Sequence, residues 1–164
     1  MEKLIILLNG PSSSGKSTLA KNLQTLLKET RSEQYEIASI DDFMKISTEE
    51  TIYEDDVFEI SGDLCEAVLD MIKTAHGVII DHVITSERIF AQLKEMLNGY
   101  PLFTVHVECP LEVLIAREEA RHNRCIGSAE ASYTYLYPKD GYDLTVNTHS
   151  RTSKECAARI LEAI

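Results

Sequence analysis

The sequence lacks several features that would place a protein in a particular class. No hydrophobic run approaches the roughly 20 residues of a membrane-spanning helix, and the apolar stretch 4–8 is too short for the core of a signal peptide. The four cysteines form no C-x-x-C pair and no zinc-like spacing with histidine. Only 16 Lys and Arg accompany 27 Asp and Glu, so the net charge is -11. We therefore expect a cytoplasmic protein whose main partners are neither nucleic acids nor membranes.

Basic residues are missing from one long interval in particular. No Lys or Arg lies between Lys45 and Lys73. The acidic residues of that interval are Glu49, Glu50, Glu54, Asp55, Asp56, Glu59, Asp63, Glu66 and Asp70. The simpler interpretation is a solvated acidic surface. The alternative is an electrostatic attraction for a cationic or amine-bearing substrate.

A phosphate-binding pattern is present near the start of the chain. Residues 10–17 read GPSSSGKS and fit G-x-x-x-x-G-K-[ST], between an apolar run and leucines at helical spacing. The glycines permit a loop whose N–H groups point at phosphate oxygens. Lys16 would add charge for the β- and γ-phosphates, and Ser17 a hydroxyl for Mg²⁺. The alternative is a chance match in a turn rich in Ser and Gly. The predicted nucleotide contacts are Gly10, Pro11, Ser12, Ser13, Ser14, Gly15, Lys16, Ser17 and Thr18.

The rest of the chain alternates apolar runs with amphipathic segments, which predicts an α/β fold with a five-stranded parallel sheet flanked by helices. Its length of 164 residues suits one domain over residues 1–164. We predict strands at 4–8, 35–40, 78–80, 102–107 and 144–146, and helices at 18–27, 86–97, 110–122, 129–137 and 153–164. A further helix contains Leu64, Val68 and Ile72 and ends at Gly77 as a C-terminal cap. Residues 43–61 have no clear pattern and are expected to form a short helix and a loop.

Acidic residues follow the second and third predicted strands. Because ligands bind at the carboxyl ends of parallel strands, Asp41 and Asp81 should face the phosphates. Asp81, after an apolar run, is the candidate Mg²⁺ residue, with a capping role as the alternative. Asp41 is the candidate general base, and Asp42 the better candidate for a cap on the segment that starts at Phe43. His82 is expected to touch substrate or to make a structural contact.

Three arginines are spaced at i, i+4 and i+7, namely Arg117, Arg121 and Arg124, so that a helix would place them on one face, with Arg124 where the predicted helix ends. Like charges at that spacing repel, so an anion between them would explain the pattern. Guanidinium groups suit phosphate oxygens and transition-state charge. We therefore predict a lid at about 117–128 that closes over ATP, with Arg121 and Arg124 in catalysis and Arg117 in nucleotide binding. The alternative is a solvated helix face on which Glu118 pairs with Arg121.

With these motifs in place, the chain resembles the chloramphenicol phosphotransferase-like family of P-loop kinases, which is related to shikimate and nucleotide kinases. The matching stretches are 7–17, 40–41, 79–81, 107–109, 117–124 and 141–148. The resemblance implies a P-loop NTPase fold and ATP-dependent phosphorylation of a small-molecule hydroxyl. It also implies a catalytic base at Asp41, phosphate contacts at the three arginines, and adenine-side contacts around Asn147 and Thr148.

The chain departs from that family pattern on the side of the acceptor. His82 stands where a second acidic residue is often found, and Tyr137 where a histidine is often found. A tryptophan–arginine pair expected on the helix after the third strand is missing, since the chain contains no Trp. The acceptor-side segment, about 43–63, matches poorly. These differences leave the phosphate chemistry intact and leave the acceptor and the oligomeric state open.

Three functions remain in view, and the leading one is a small-molecule kinase that uses ATP and Mg²⁺. A nucleoside or nucleotide kinase is the first alternative, but a nucleotide acceptor would need basic residues near 43–63, which contains only Lys45. The alternative of another class is a non-enzymatic ATP-binding switch or regulator. It predicts ATP binding without turnover stimulated by an acceptor.

Overall fold

Within the residues that the computed structural model describes, 2–44, 54–121 and 126–164, five strands form one parallel sheet. They are β1 (Leu4–Asn9), β2 (Tyr35–Ser39), β3 (Gly77–His82), β4 (Leu102–Glu108) and β5 (Leu144–Asn147). Their order across the sheet is β2-β3-β1-β4-β5, and every neighbouring pair is parallel. The predicted five-stranded parallel sheet is therefore confirmed.

The same residues form six helices. They are α1 (Lys16–Arg31), α2 (Glu54–Met71), α3 (Glu87–Met96), α4 (Leu111–Arg121), α5 (Ser128–Tyr135) and α6 (Ser153–Ala163). Among the described helices, none is both long and apolar enough to cross a lipid bilayer. A capping box at Thr152 and Glu155 begins α6, as the sequence predicts.

The central strand β1 is buried on both faces, which explains its uninterrupted run of apolar residues. Ile5 and Leu7 belong to the core that α2 and α3 complete. Ile6 and Leu8 belong to the core on the opposite face, under α1 and α6. Since a strand alternates its side chains between faces, one apolar run supplies both cores and fixes β1 in the middle of the sheet.

Two boundaries on the acceptor side differ from the sequence prediction. Helix α2 begins at Glu54, inside the segment where the sequence has no clear pattern, and ends at Met71, before Gly77. Gly77 does not cap that helix; it is the first residue of β3. A Cβ on Gly77 would lie 2.4 Å from Tyr35 Cε2 and 2.5 Å from the carbonyl oxygen of Leu4. Glycine is thus required there by close strand packing rather than by helix termination.

The end of β2 also differs from the prediction. Ile40–Asp42 form one turn of 3₁₀ helix, and the backbone N–H of Phe43 closes that turn on the carbonyl of Ile40. Asp42 is the last residue of that turn, and its predicted role as a cap on the segment that starts at Phe43 stays a prediction, because most of that segment lies outside the described residues. The turn carries Asp41 to the carboxyl edge of the sheet. The remainder of the predicted acceptor side, 45–53, lies outside the described residues.

Candidate functional site

The site is built around the loop between β1 and α1. Gly10 passes so close to β4 that a Cβ on it would lie 2.4 Å from the carbonyl oxygen of Val107. Gly15 and Ser13 both have left-handed backbones, with φ of 89° and 71°, and glycine tolerates that region without strain. The loop ends where α1 begins, at Lys16. This arrangement brings the loop to the N-terminus of a helix, where backbone N–H groups suit an anion.

Lys16 points back into this loop. Its side chain is buried, and its ammonium group donates to the carbonyl of Pro11 at 2.9 Å and to Ser14 Oγ at 3.4 Å. A buried cation surrounded by backbone dipoles is a site prepared for a negative ligand. Lys16 therefore stands where the motif predicts a phosphate.

Asp81, at the end of β3, is held by two hydroxyl groups. Ser17 Oγ on α1 donates to Asp81 Oδ2 at 2.8 Å, and Ser39 Oγ on β2 donates to the same oxygen at 3.2 Å. Hydroxyl and carboxylate oxygens are the hard ligands that Mg²⁺ prefers. Among the described residues no cluster of three His, Cys, Asp or Glu could hold a metal alone. The Ser17–Asp81 pair fits an ion that takes its other ligands from phosphate and water.

An open cleft of about 590 Å³ joins these groups. The predicted site residues that line it are Ser12, Ser13, Gly15, Lys16, Ser17, Thr18, Asp41, Asp81, Arg117, Arg121 and Thr148. Four further residues line the cleft without having been predicted as site residues, namely Ile40, Val83, Ala120 and Ser153. Ile40 and Val83 lie next to the predicted strand-end residues Asp41 and His82. The sequence pattern therefore pointed to their neighbours and not to Ile40 and Val83 themselves.

The two described arginines of α4 contact the loop directly. Arg117 donates to the carbonyl of Ser13 at 3.3 Å and to the carbonyl of Thr148 at 3.1 Å. Arg121 donates to Ser13 Oγ at 3.4 Å. Their guanidinium groups thus lie beside the loop that the motif assigns to phosphate. Arg124 lies outside the described residues, so its predicted role has no structural counterpart here.

The loop after β5 contributes Thr148 rather than Asn147 to the cleft. Thr148 Oγ1 donates to the carbonyl of Ser14 at 2.6 Å. The side-chain oxygen of Asn147 accepts from the backbone N–H groups of His149 and Ser150, at 2.9 and 3.0 Å. Asn147 therefore shapes the turn that presents Thr148, and its predicted contact with adenine stays a prediction.

His82 lies behind the site, fully buried. Its Nδ1 accepts from the backbone N–H of Val83 at 2.8 Å, so the ring proton sits on Nε2, which lies 2.8 Å from Ser61 Oγ on α2. Burial, with a smaller contribution from Lys16, lowers the pKa of His82 to about 3. In this structure His82 makes a buried contact between β3 and α2.

Several charged side chains of α2, α3 and α4 have partners within the fold. Arg88 on α3 pairs with Glu54 Oε2 and Asp55 Oδ1, each at 2.7 Å. Two carboxylates of the acidic interval thus belong to a structural cluster at the start of α2. On α4, Glu118 does not form the pair with Arg121 that the alternative interpretation of a solvated helix face predicts. It is buried, and its two oxygens accept from the backbone N–H groups of Ala129 and Gly127.

Solved structures share this fold. APS kinase from Mycobacterium tuberculosis, in complex with AMPPNP and APS, matches with a TM-score of 0.77 and 19% identity over 99% of this chain and 97% of that one. A gluconokinase from Sinorhizobium meliloti 1021 matches with a TM-score of 0.73 and 18% identity over 96% and 89%. Shikimate kinase from Acinetobacter baumannii, in complex with shikimate, matches with a TM-score of 0.66 and 18% identity over 96% and 90%. At these identities the likeness shows the fold, which is that of P-loop kinases.

A search of curated proteins gave no match. The family model described as chloramphenicol phosphotransferase-like protein matches residues 3–164, nearly the whole chain. The P-loop, the strand-end carboxylates and the arginine helix all fall inside that match. The chain therefore belongs to the chloramphenicol phosphotransferase-like family of P-loop phosphotransferases.

Proposed function

We propose that this protein transfers the γ-phosphate of ATP to a hydroxyl group of a small molecule in the cytoplasm. One observation carries the proposal. Asp41 lines the same cleft as Lys16, the Ser17–Asp81 pair, Arg117 and Arg121. A phosphate-binding loop alone indicates only that phosphate is bound. A carboxylate in the same cleft adds a group that can receive a proton from an acceptor.

The donor half of the site would hold ATP with its phosphates on residues 10–18 and its adenine near Thr148 and Asn147. Lys16 would contact the β- and γ-phosphates, and Ser17 and Asp81 would hold Mg²⁺ directly or through water. The ion, when bound, neutralises charge on the phosphate oxygens. Arg117 and Arg121 both contact Ser13 of the loop. They would therefore stabilise the negative charge on the phosphoryl group during transfer. Arg124 keeps the same proposed role on sequence grounds.

The acceptor half would begin at Asp41. Its carboxylate is held at the end of β2 by the 3₁₀ turn, while Asp81 ends the neighbouring strand β3. Asp81 is engaged by Ser17 and Ser39, and Asp41 is the second carboxylate that lines the cleft. It would orient the acceptor hydroxyl toward the γ-phosphate and take its proton as the bond to phosphorus forms.

The Asp41→Asn variant tests this assignment. We expect kcat to fall roughly 10²- to 10⁴-fold, because the amide cannot accept the proton, while the Kd for ATP changes little. Asp42→Asn is the matched control, since it makes the same substitution in the same turn, at a residue that does not line this cleft. ADP release would be measured across a panel of alcohols, antibiotics and nucleosides.

The outcomes separate the alternatives. Full activity in Asp41→Asn would contradict its role as base. Turnover with nucleosides or nucleotides only would favour a nucleotide kinase, although Arg88, a cation next to the start of α2, is paired with Glu54 and Asp55. ATP binding without turnover on any acceptor would favour a non-enzymatic regulator and contradict the proposed transfer.

A further inference from the structure

Helix α5 contacts the P-loop through the side chain of Ser132. The hydroxyl oxygen of Ser132 accepts a hydrogen bond from the backbone N–H of Ser12 at 2.9 Å. Ser132 is 7% exposed, so water competes little for this bond. The bond joins two segments that are 120 residues apart in the sequence.

The hydroxyl of Ser132 is oriented to act as an acceptor. A serine hydroxyl has one proton, and here it is directed at carbonyls of the same helix, Ser128 at 2.7 Å and Ala129 at 3.2 Å. The lone pairs on the opposite side are thereby turned toward Ser12. Helix α5 thus offers the P-loop a fixed acceptor rather than a hydroxyl that rotates.

The position of α5 is in turn fixed by Glu118 on α4. Gly127, which precedes α5, has no side chain with which to cap it, and the first-turn N–H groups need an acceptor. The carboxylate of Glu118 supplies it, at 3.0 Å from the N–H of Ala129 and 3.3 Å from that of Gly127. A carboxylate at a helix N-terminus is also favoured by the helix dipole.

Helix α4 therefore holds two consecutive P-loop residues by two routes. Arg117, next to Glu118, binds the carbonyl of Ser13 directly. Glu118 holds Ser12 indirectly, through α5 and Ser132. Ser13 needs such support because its φ of 71° lies in the left-handed region, which is unfavourable for a residue with a Cβ.

We propose that Ser132 is a positioning residue that holds the P-loop in its phosphate-binding conformation, and that Glu118 anchors the helix that carries it. The inference rests on the proposed function, in that the loop is taken to bind ATP. It assigns Ser132 no contact with ATP. The effect of Ser132 is transmitted through the backbone of Ser12.

A titration of the full chain with fluorescent mant-ATP tests the role of Ser132. We expect Ser132→Ala to raise the Kd about three- to tenfold, the loss that corresponds to one hydrogen bond. Thr134→Ala is the matched control, because Thr134 makes the same i-4 bond on the same helix, to the carbonyl of Glu130, but is exposed, and it is Ser132 rather than Thr134 that accepts from Ser12. Ser132→Thr, which keeps the hydroxyl, should restore most of the affinity.

Glu118→Gln provides a second, independent variant. The amide keeps one acceptor oxygen and turns an N–H₂ group toward a backbone N–H, so the anchor weakens and the Kd for mant-ATP should rise in the same direction. Glu119→Gln, on the exposed face of α4, makes the same change of charge without touching α5. A Tm measured for each variant separates loss of folding from loss of binding.

The results distinguish this inference from the proposed function. A raised Kd in Ser132→Ala and Glu118→Gln, with both controls like the wild type, supports it. An unchanged Kd in folded Ser132→Ala, even with a lower Tm, shows a merely structural role and overturns it. Should Ser132→Ala not fold, an unchanged Kd in Glu118→Gln overturns it. Failure of the wild type to bind mant-ATP contradicts the proposed function, and the inference with it.

Discussion

At the scale of single residues, the carboxylate of Asp81 forms hydrogen bonds with two other segments of the chain. It receives hydroxyl groups from α1 and from β2, so it links the P-loop helix to the edge of the sheet. Its sequence context, an apolar run followed by a carboxylate, allows either a magnesium site or a cap. The structure places Asp81 within β3 and beside Ser17, which favours the magnesium site.

Asp81→Asn should raise the Mg²⁺ concentration needed for half-maximal ADP release by about 10- to 100-fold, as loss of a group near a metal commonly does. The amide is a neutral and weaker ligand, whereas binding of metal-free ATP should change little. Asp63→Asn, at an exposed position on α2, controls for the change in net charge. If the magnesium titration of Asp81→Asn coincides with that of the wild type, Asp81 does not contribute to binding of the ion.

Residues whose roles follow from local motifs were predictable, and residues that act across the fold were not. Lys16, Ser17 and Asp41 stand in short patterns whose chemistry is readable from neighbours in the sequence. Asn9 and Ser132 stand in no such pattern. Asn9 is buried and bonds to the N–H of Ile84, the carbonyl of Tyr137 and the hydroxyl of Tyr142. The partners of Asn9 are 75 to 133 residues away in the sequence, so no local sequence pattern predicts these bonds.

At the scale of secondary-structure elements, the start of β3 carries the clearest correction. A glycine after a helical segment favours a C-terminal cap when only the sequence is considered. Gly77 instead lies level with Leu4 on β1 and Tyr35 on β2, and the Tyr35 ring covers it. The glycine alone did not distinguish the two structures, because a helix C-terminal cap and a tightly packed strand both favour a residue without a side chain.

Gly77→Ala should lower the free energy of unfolding by about 1–3 kcal/mol, since the added methyl group would overlap both the Tyr35 ring and the Leu4 carbonyl. Gly99→Ala is the matched control, because a Cβ there meets no atom within 4 Å, and it should change stability by no more than about 1 kcal/mol. Urea unfolding of the two variants measures the difference. Equal stability of both variants would contradict the packing explanation.

At the scale of the whole molecule, the net charge of -11 is concentrated partly on α2, which follows the segment proposed to receive the acceptor. Arg88 pairs with both Glu54 and Asp55 and offsets one of their two negative charges, which reduces the field expected from the acidic interval alone. Asp56 and Glu59 remain exposed on the same helix. The attraction for amine-bearing acceptors therefore stays a prediction, with a smaller expected size.

For a matched pair of acceptors, the KM of the amine-bearing one should rise roughly two- to fivefold between about 0.01 and 0.3 M salt, because salt screens the acidic surface. The neutral acceptor should keep its KM. Asp56→Asn should weaken the dependence, whereas Asp70→Asn, at the far end of α2 beside Lys73, should not. Equal salt dependence for the two acceptors would remove electrostatic attraction as a source of specificity.

The sequence by itself determined the sheet, the P-loop and the strand-end carboxylates. Each depends on neighbours in the chain: a continuous apolar run for a buried strand, glycines for a tight loop, and an acidic residue where the run stops. Only the tertiary structure decided that Gly77 opens a strand, that Glu118 anchors α5, and that Ser132 holds Ser12. These roles depend on atoms that folding brings together from distant segments, so their physical cause is absent from any local stretch of sequence.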